Sequence, residues 1–239
     1  MQCFYALSKS YSGRIFIGGI SMKQKNERLR KMIVMAMLAA VSLLLVSTVR
    51  IPVVLFLKYE PKDVAITIGG FLLGPMASLI ISAVVSLIEM VSISDTGILG
   101  CLMNFLSTVS FSCTAVLIYK KSRTLGGAIF GLLAGSVTMI CVMLLWNWLI
   151  TPLYMGGTRE AVAKMLLPVF LPFNALKAGL NSALTLGLYK PLTSALRKTR
   201  LLPPSTATGK SGAKPAIYLL SLAILITCIL FLLVMQGII

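Results

Sequence analysis

The chain has 239 residues, 58% of them hydrophobic and 12% charged, with a mean hydropathy of +0.96 and a formal net charge of +16. Such values lie outside the range of soluble domains and describe an integral membrane protein. With no histidine, and with cysteines at 3, 101, 113, 141 and 228 that form no C-x-x-C pair, the sequence excludes the usual metal sites and histidine-based catalysis.

Residues 1–20 hold apolar residues but no continuous hydrophobic region and no small-residue cleavage site, so they do not read as a signal peptide. Met22, followed by the basic run Lys23 to Lys31, reads as a more natural start, which makes 1–21 an extension and 1–31 a basic cytoplasmic segment. Met32 to Val49 predicts the first membrane helix, and Arg50 to Asp63, with Pro52 and Pro61, an exterior loop. Val64 to Gly74 is apolar but short, about 16 Å of helix against a hydrocarbon core of about 30 Å. It is a short, protein-buried helix or half of something longer. Gly74-Pro75 reads as a helix stop and restart, so a new helix runs from Met76 to about Ser92. The turn Ser94 to Gly97 leads to a helix over Ile98 to Tyr119, and Lys120 to Arg123 forms a basic connection. Leu125 to Ile150 is the fifth helix, Thr151 to Lys164 a long loop, and Leu167 to Leu196 the sixth helix. A basic Pro/Ser/Gly-rich linker, 201–215, separates the membrane domain 32–200 from a further apolar span, 216–239. Long apolar runs between short polar turns imply a helical bundle, because a barrel strand would alternate.

Charge bias supports the turn at Gly74-Pro75. With it, sixteen of the 22 basic residues lie on the cytoplasmic side, and the exterior keeps Arg50, Lys58, Lys62, Arg159 and Lys164. A fused helix would export the nine basic residues from Lys120 to Lys214. The same distribution, basic residues flanking apolar runs, argues for topology and against nucleic-acid binding.

In that topology Asp63, Glu89, Asp95, Asn104, Asn147, Asn174 and Lys177 share the outer half of the bundle, beneath two sizeable loops. Polar groups at one depth of a membrane bundle describe a pocket open to the outside. Asn174, Lys177 and Asn181 recur at i, i+3 and i+7 and so share one helical face; Lys177 alone would also be explained by snorkelling to the interface. Gly70-x3-Gly74, Gly127-x3-Gly131-x3-Gly135 and Ala175-x3-Gly179-x3-Ala183-x3-Gly187 are ladders of small residues that let helices approach closely within the bundle. Ala36-x3-Ala40 faces either a neighbour in the bundle or a separate membrane protein.

Phe56-Leu57-Lys58-Tyr59-Glu60-Pro61-Lys62-Asp63, Gly69-Gly70-Phe71-Leu72-Leu73-Gly74-Pro75, Asn104-Phe105-Leu106-Ser107, the segment Asn147 to Tyr154 and Pro172-Phe173-Asn174-Ala175-Leu176-Lys177 stand in this order. Together they resemble the riboflavin-specific S components of energy-coupling-factor (ECF) transporters, the RibU type, over about Met32 to Arg200. The resemblance implies a six-helix S-component bundle, all-α and membrane-integral, with riboflavin bound near the outer face as transported substrate rather than cofactor. It implies a bacterial plasma-membrane location with the N-terminus in the cytoplasm, and a partner module of a T-type membrane protein and two ABC ATPases docking at Ala36 and Ala40. The chain itself has no G-x4-G-K-[ST] motif. Two departures stand out: Glu60 occupies a position where the family commonly has Asp, and the span 216–239 exceeds the usual six helices.

A planar isoalloxazine ring with a uracil-like edge asks for apolar faces and a few amide groups. Leu57, Trp148 and Tyr154 are candidates for the faces, and Asn104, Asn147, Asn174, Lys177 and Asn181 for the polar partners. Asp63 and Thr67 are further candidates, though Asp63 equally reads as a cap on the second helix. An S component for another vitamin is the nearest rival reading. A solitary secondary transporter would call for inverted repeats or midplane acids, which the sequence does not show. An enzyme would call for paired catalytic groups, also not seen among only six acidic residues.

Overall fold

A computed structural model of the chain describes residues 26–55, 57–92, 97–156, 158–199 and 215–236. Among them, α1 spans Asn26–Thr48, and an antiparallel hairpin follows, β1 (Ile51–Val54) with β2 (Leu57–Tyr59). Then come α2 (Lys62–Leu73), α3 (Pro75–Ser92), α4 (Gly97–Ser122), α5 (Leu125–Met155), α6 (Arg159–Met165), a π-helical turn over Leu166–Phe170, α7 (Leu171–Lys198) and α8 (Pro215–Met235). Among the described residues, five helical stretches are long and apolar enough to cross a membrane: α1, α3, α4, α5 and the unit Arg159–Leu196. Outward-facing Met32, Met37, Leu44, Leu133, Val137 and Leu145 give these helices an apolar coat suited to lipid.

The short second helix is the protein-buried kind: its first nine residues, Lys62 to Gly70, are all buried, and it packs on α3, α4 and α7. It ends where the sequence places a stop. Gly74 takes φ +102°, its N–H bonds to the Gly70 carbonyl at 2.7 Å, and Pro75 opens α3. A Cβ at Gly74 would meet nothing within 4 Å, so the backbone conformation, not crowding, requires glycine. Gly70 is the opposite case, since a Cβ there would lie 2.0 Å from Ser78 Oγ and 2.4 Å from Val116 Cγ2.

The small-residue ladders do pack helices. A Cβ on Gly131 would stand 2.6 Å from the Ala115 carbonyl oxygen, and one on Gly135 2.5 Å from that of Phe111, so α5 lies directly on the α4 backbone. On α7, Gly179 and Gly187 face α8 rather than the six-helix bundle, with Cys228 Sγ and Ser221 Oγ at 2.7 and 3.0 Å from their built Cβ positions. Ala36 and Ala40 are exposed on α1.

Three expectations are corrected. The loop Arg50 to Asp63 contains the hairpin, with an irregularity between Pro52 and Val54; Pro52 tolerates an edge position because its missing N–H costs no ladder bond there. The fifth helix does not end at Ile150 but runs through Pro152 to Gly156, which caps it at φ +65°. The long loop shrinks accordingly, because α6 begins at Arg159 with Thr158 accepting from the Ala161 N–H. The entry into α7 passes through the π turn containing Pro168, where a wider helical turn accommodates the missing donor.

Candidate functional site

Two polar clusters, both buried, sit where the hairpin and the start of α2 meet α3, α4 and α7. The first joins Arg50 after α1, Glu60 after β2, Lys62 at the head of α2 and Glu89 on α3. Arg50 Nε lies 2.9 Å from Glu60 Oε1 and its Nη2 3.1 Å from Glu89 Oε1. Lys62 Nζ lies 3.0 Å from Glu60 Oε2 and also pairs with Glu89 Oε2. Asn104 on α4 completes the ring by donating Nδ2–H to Glu89 Oε1 at 2.8 Å. Glu60, Lys62 and Glu89 are at most 5% exposed, and charges so deep are tolerable only when paired and hydrogen-bonded. Burial alone would raise the Glu60 carboxyl's pKa, but the Lys62, Lys177 and Arg50 cations outweigh it and hold the group below its ordinary range.

The second cluster centres on Asp63. Its Oδ1 accepts from Thr108 Oγ1 on α4 at 2.6 Å, its Oδ2 accepts from Asn181 Nδ2 on α7 at 3.0 Å, and Lys177 Nζ stands 3.6 Å from Oδ2. Lys177 also donates to Ser107 Oγ at 3.2 Å. Tyr59 in β2 donates its phenolic hydrogen to Asn181 Oδ1 at 3.1 Å, tying hairpin to cluster. Burial first, and the Asp63 carboxylate second, push the Tyr59 phenol well above its ordinary value, so it stays a donor. The capping role for Asp63 is therefore corrected: no side chain caps α2, and this carboxylate reaches across to α4 and α7.

Thr67 is wholly buried and turns back to the Asp63 carbonyl at 2.7 Å. Asn147 on α5 and Asn174 on α7 are 0% and 1% exposed. Asn147 donates to the Met143 carbonyl at 2.8 Å and accepts from Thr151 at 2.9 Å; Asn174 donates to the Phe170 carbonyl at 2.8 Å. A primary amide has two N–H donors and two lone pairs, so Asn147 retains one N–H and one lone pair beyond these bonds, a pairing suited to an imide edge. Leu57 is buried in the apolar cluster with Tyr59, Phe170, Phe173, Leu176 and Leu180. Asp63, Lys177 and Asn181 are thus brought into contact, while Asn104 belongs to the Glu89 cluster.

Trp148 is not brought in. It is 41% exposed, because the next residue after a buried Asn147 is turned about 100° around the helix. The inward indole is that of Trp146, which packs against the core cluster that includes Phe111, Met139 and Met143 and whose Nε1–H has no hydrogen-bond partner among the described residues. The side chain of Tyr154, like Asp95 and Phe56, lies outside the described residues. Lys62, assigned by sequence to the exterior, is instead fully buried. Its clue was arithmetic: with so few acidic residues, Glu60 and Glu89 in or beside apolar segments each need a nearby cation.

The family of ECF transporter substrate-specific components matches residues 30–189. A curated relative, a riboflavin transporter named RibU from Staphylococcus aureus (strain TCH60), is 28% identical over 185 residues, covering 73% of this chain and 95% of the relative. A solved S component of a bacterial ECF transporter superposes with a TM-score of 0.60 at 27% identity, covering 71% of this chain and 99% of that one.

Proposed function

The chain belongs to the family of ECF transporter substrate-specific components, and on that premise we propose that it binds riboflavin at the hairpin end of its bundle for ATP-driven uptake. The observation that carries the reading is the set of buried amides and one ammonium, Asn147, Asn174, Lys177 and Asn181, on the packed helices α5 and α7 behind a hairpin that contributes Leu57. Amides with donors and acceptors to spare suit the uracil-like edge and the ribityl hydroxyls, while Leu57 and the neighbouring apolar cluster suit the ring. The likeness to a riboflavin transporter along most of both chains supports the same ligand.

Energy comes from elsewhere in this reading, since the sequence lacks a phosphate-binding loop. The partner is a T-type membrane protein with two ABC ATPases, and it docks on α1 at Ala36 and Ala40, both exposed. Helices in lipid gain little from the hydrophobic effect and rely on close backbone approach, which alanines permit. The orientation follows from charge: the N-terminal and Arg197-to-Lys214 segments lie in the cytoplasm, and the hairpin faces out.

The test is to purify the protein and record its absorption spectrum for a co-purified flavin, then to titrate ligand-free protein by riboflavin fluorescence quenching. Lys177→Ala and Asn147→Ala should each weaken binding about five- to hundredfold, the effect of losing a buried hydrogen bond. Wild-type protein that neither carries nor quenches riboflavin would overturn the proposal in favour of another vitamin.

A further inference from the structure

Helix α8 lies beyond the family match, which ends at residue 189, and the polar clusters described above make no use of it. Its inward residues nevertheless form one stripe: Ser221, Cys228, Leu232 and Gln236, spaced seven, four and four, fall on a single helical face. At the lower end Ser221 Oγ donates to the Ala183 carbonyl of α7 at 2.6 Å, and the glycines at 179 and 187 let the two helices close on each other. Midway, Cys228 and Leu232 pack against the apolar cluster that holds Leu57, Tyr59, Phe173 and Leu180. At the upper end Gln236 Nε2 donates to the carbonyl of Pro52 in β1 at 2.7 Å.

Pro52 is paired with Lys58 across the hairpin, so a bond to its carbonyl holds both strands. The hairpin is also tied to the bundle through Tyr59 to Asn181 on α7, and Arg50 just before it pairs with Glu89 on α3. Between Ser221 and Gln236 the helix rises about 22 Å, most of the thickness of a bilayer core. One end is therefore clamped to α7 near the opposite face, and the other grips the edge strand above the candidate site.

We propose that α8 is a brace for the hairpin, and that Gln236 and Leu232 are positioning residues which set how often the hairpin lifts and hence how fast ligand exchanges. The effect on ligand rests on the riboflavin reading; the brace itself does not. Because Gln236 bonds to the Pro52 carbonyl rather than to the Asp63 or Glu89 cluster, losing that bond should change the barrier to opening more than the affinity of the closed site.

Hydrogen–deuterium exchange on the ligand-free full chain tests the brace directly. Gln236→Ala and Leu232→Ala should each speed exchange of the strand amides of Val53, Val54 and Leu57 to Tyr59 roughly three- to tenfold, the equivalent of one hydrogen bond or modest contact. Amides of α4 and α5 around Phe111 and Leu132 should keep wild-type rates. Gln236→Lys, which retains a donor, should restore slow exchange, and Leu230→Ala on the outward side of α8 should have no effect. In stopped-flow riboflavin binding, association and dissociation should accelerate together in Gln236→Ala, leaving Kd within about twofold. Unchanged hairpin exchange in both variants would overturn the brace, as would acceleration spread evenly through α4 and α5. If wild-type protein fails to bind riboflavin, the ligand reading falls, and the exchange measurement still decides the brace.

Discussion

Replacing Asp63 by Asn keeps the size of the side chain and removes its charge. Its two oxygens currently accept from Thr108 at 2.6 Å and Asn181 at 3.0 Å, with the Lys177 ammonium 3.6 Å away. In the variant one oxygen can still accept from Thr108, but the new NH2 then faces the Asn181 NH2. Flipping Asn181 would require the Tyr59 hydroxyl to turn from donor to acceptor. Meanwhile Lys177, 5% exposed, loses its counter-ion. Leaving a buried charge without its partner costs about 3–5 kcal/mol, and the surviving Thr108 bond and Ser107 place this case near the lower figure. For a domain of this size about 3 kcal/mol corresponds to a fall in Tm of roughly 6–12 °C. Thermal unfolding of ligand-free protein in detergent measures it. Asp63→Asn with Lys177→Met should cost less than Asp63→Asn alone, since the stranded charge is gone. A single variant within about 1 kcal/mol of wild type, or a double variant whose cost is the sum of the two singles, would refute the coupling argued here.

Gly135→Ala should destabilise by about 1–3 kcal/mol, as its methyl would stand 2.5 Å from the Phe111 carbonyl oxygen, whereas Gly126→Ala, with nothing nearer than 4.0 Å, should be neutral or stabilising in the same melting assay. Because the Glu60 pKa is depressed in the folded protein, its contribution to stability is complete above its ordinary value of 4.5 and is lost as the pH falls through the lower folded value. Hairpin amides, followed by exchange corrected for intrinsic rates, should therefore loosen on acidification below about 4.5, and Glu60→Gln should flatten that dependence. Replacing Ala36 and Ala40 together by Trp should leave riboflavin titrations near normal while abolishing uptake and co-purification with the ATPase module; an intact pull-down would sink the docking assignment.

The parts of the fold legible in sequence were those with local physical signatures. Gly74-Pro75 could be read as a turn because both a positive φ and a helix start are written in adjacent residues. The glycine ladder of α5 could be read because close packing needs small residues at one spacing. The Arg50–Glu60–Lys62–Glu89–Asn104 ring could not, since its members come from separate elements with no periodic relation, and a cation in a proline-flanked loop reads as solvated. The carboxylate of Asp63 was ambiguous for the same reason: first-turn position favours a cap, and only the packing of α4 and α7 turns it inward. Asn147 is legible as a costly amide in an apolar helix, but a neighbour on a helix points elsewhere, so Trp148 faces outward where Trp146 faces the core.

The two polar clusters also fix the electrical character of the proposed binding end. Arg50 and Lys62 are matched by Glu60 and Glu89, and Lys177 by Asp63, so these inner ionic groups cancel in pairs although the chain as a whole carries +16. A neutral vitamin can enter such a balanced environment without displacing a counter-ion. A phosphorylated form, bringing up to two negative charges, would have to prise an ammonium or guanidinium from its carboxylate before gaining any attraction. On the riboflavin reading, the pairing is therefore expected to make the phosphate ester bind more weakly than the neutral vitamin.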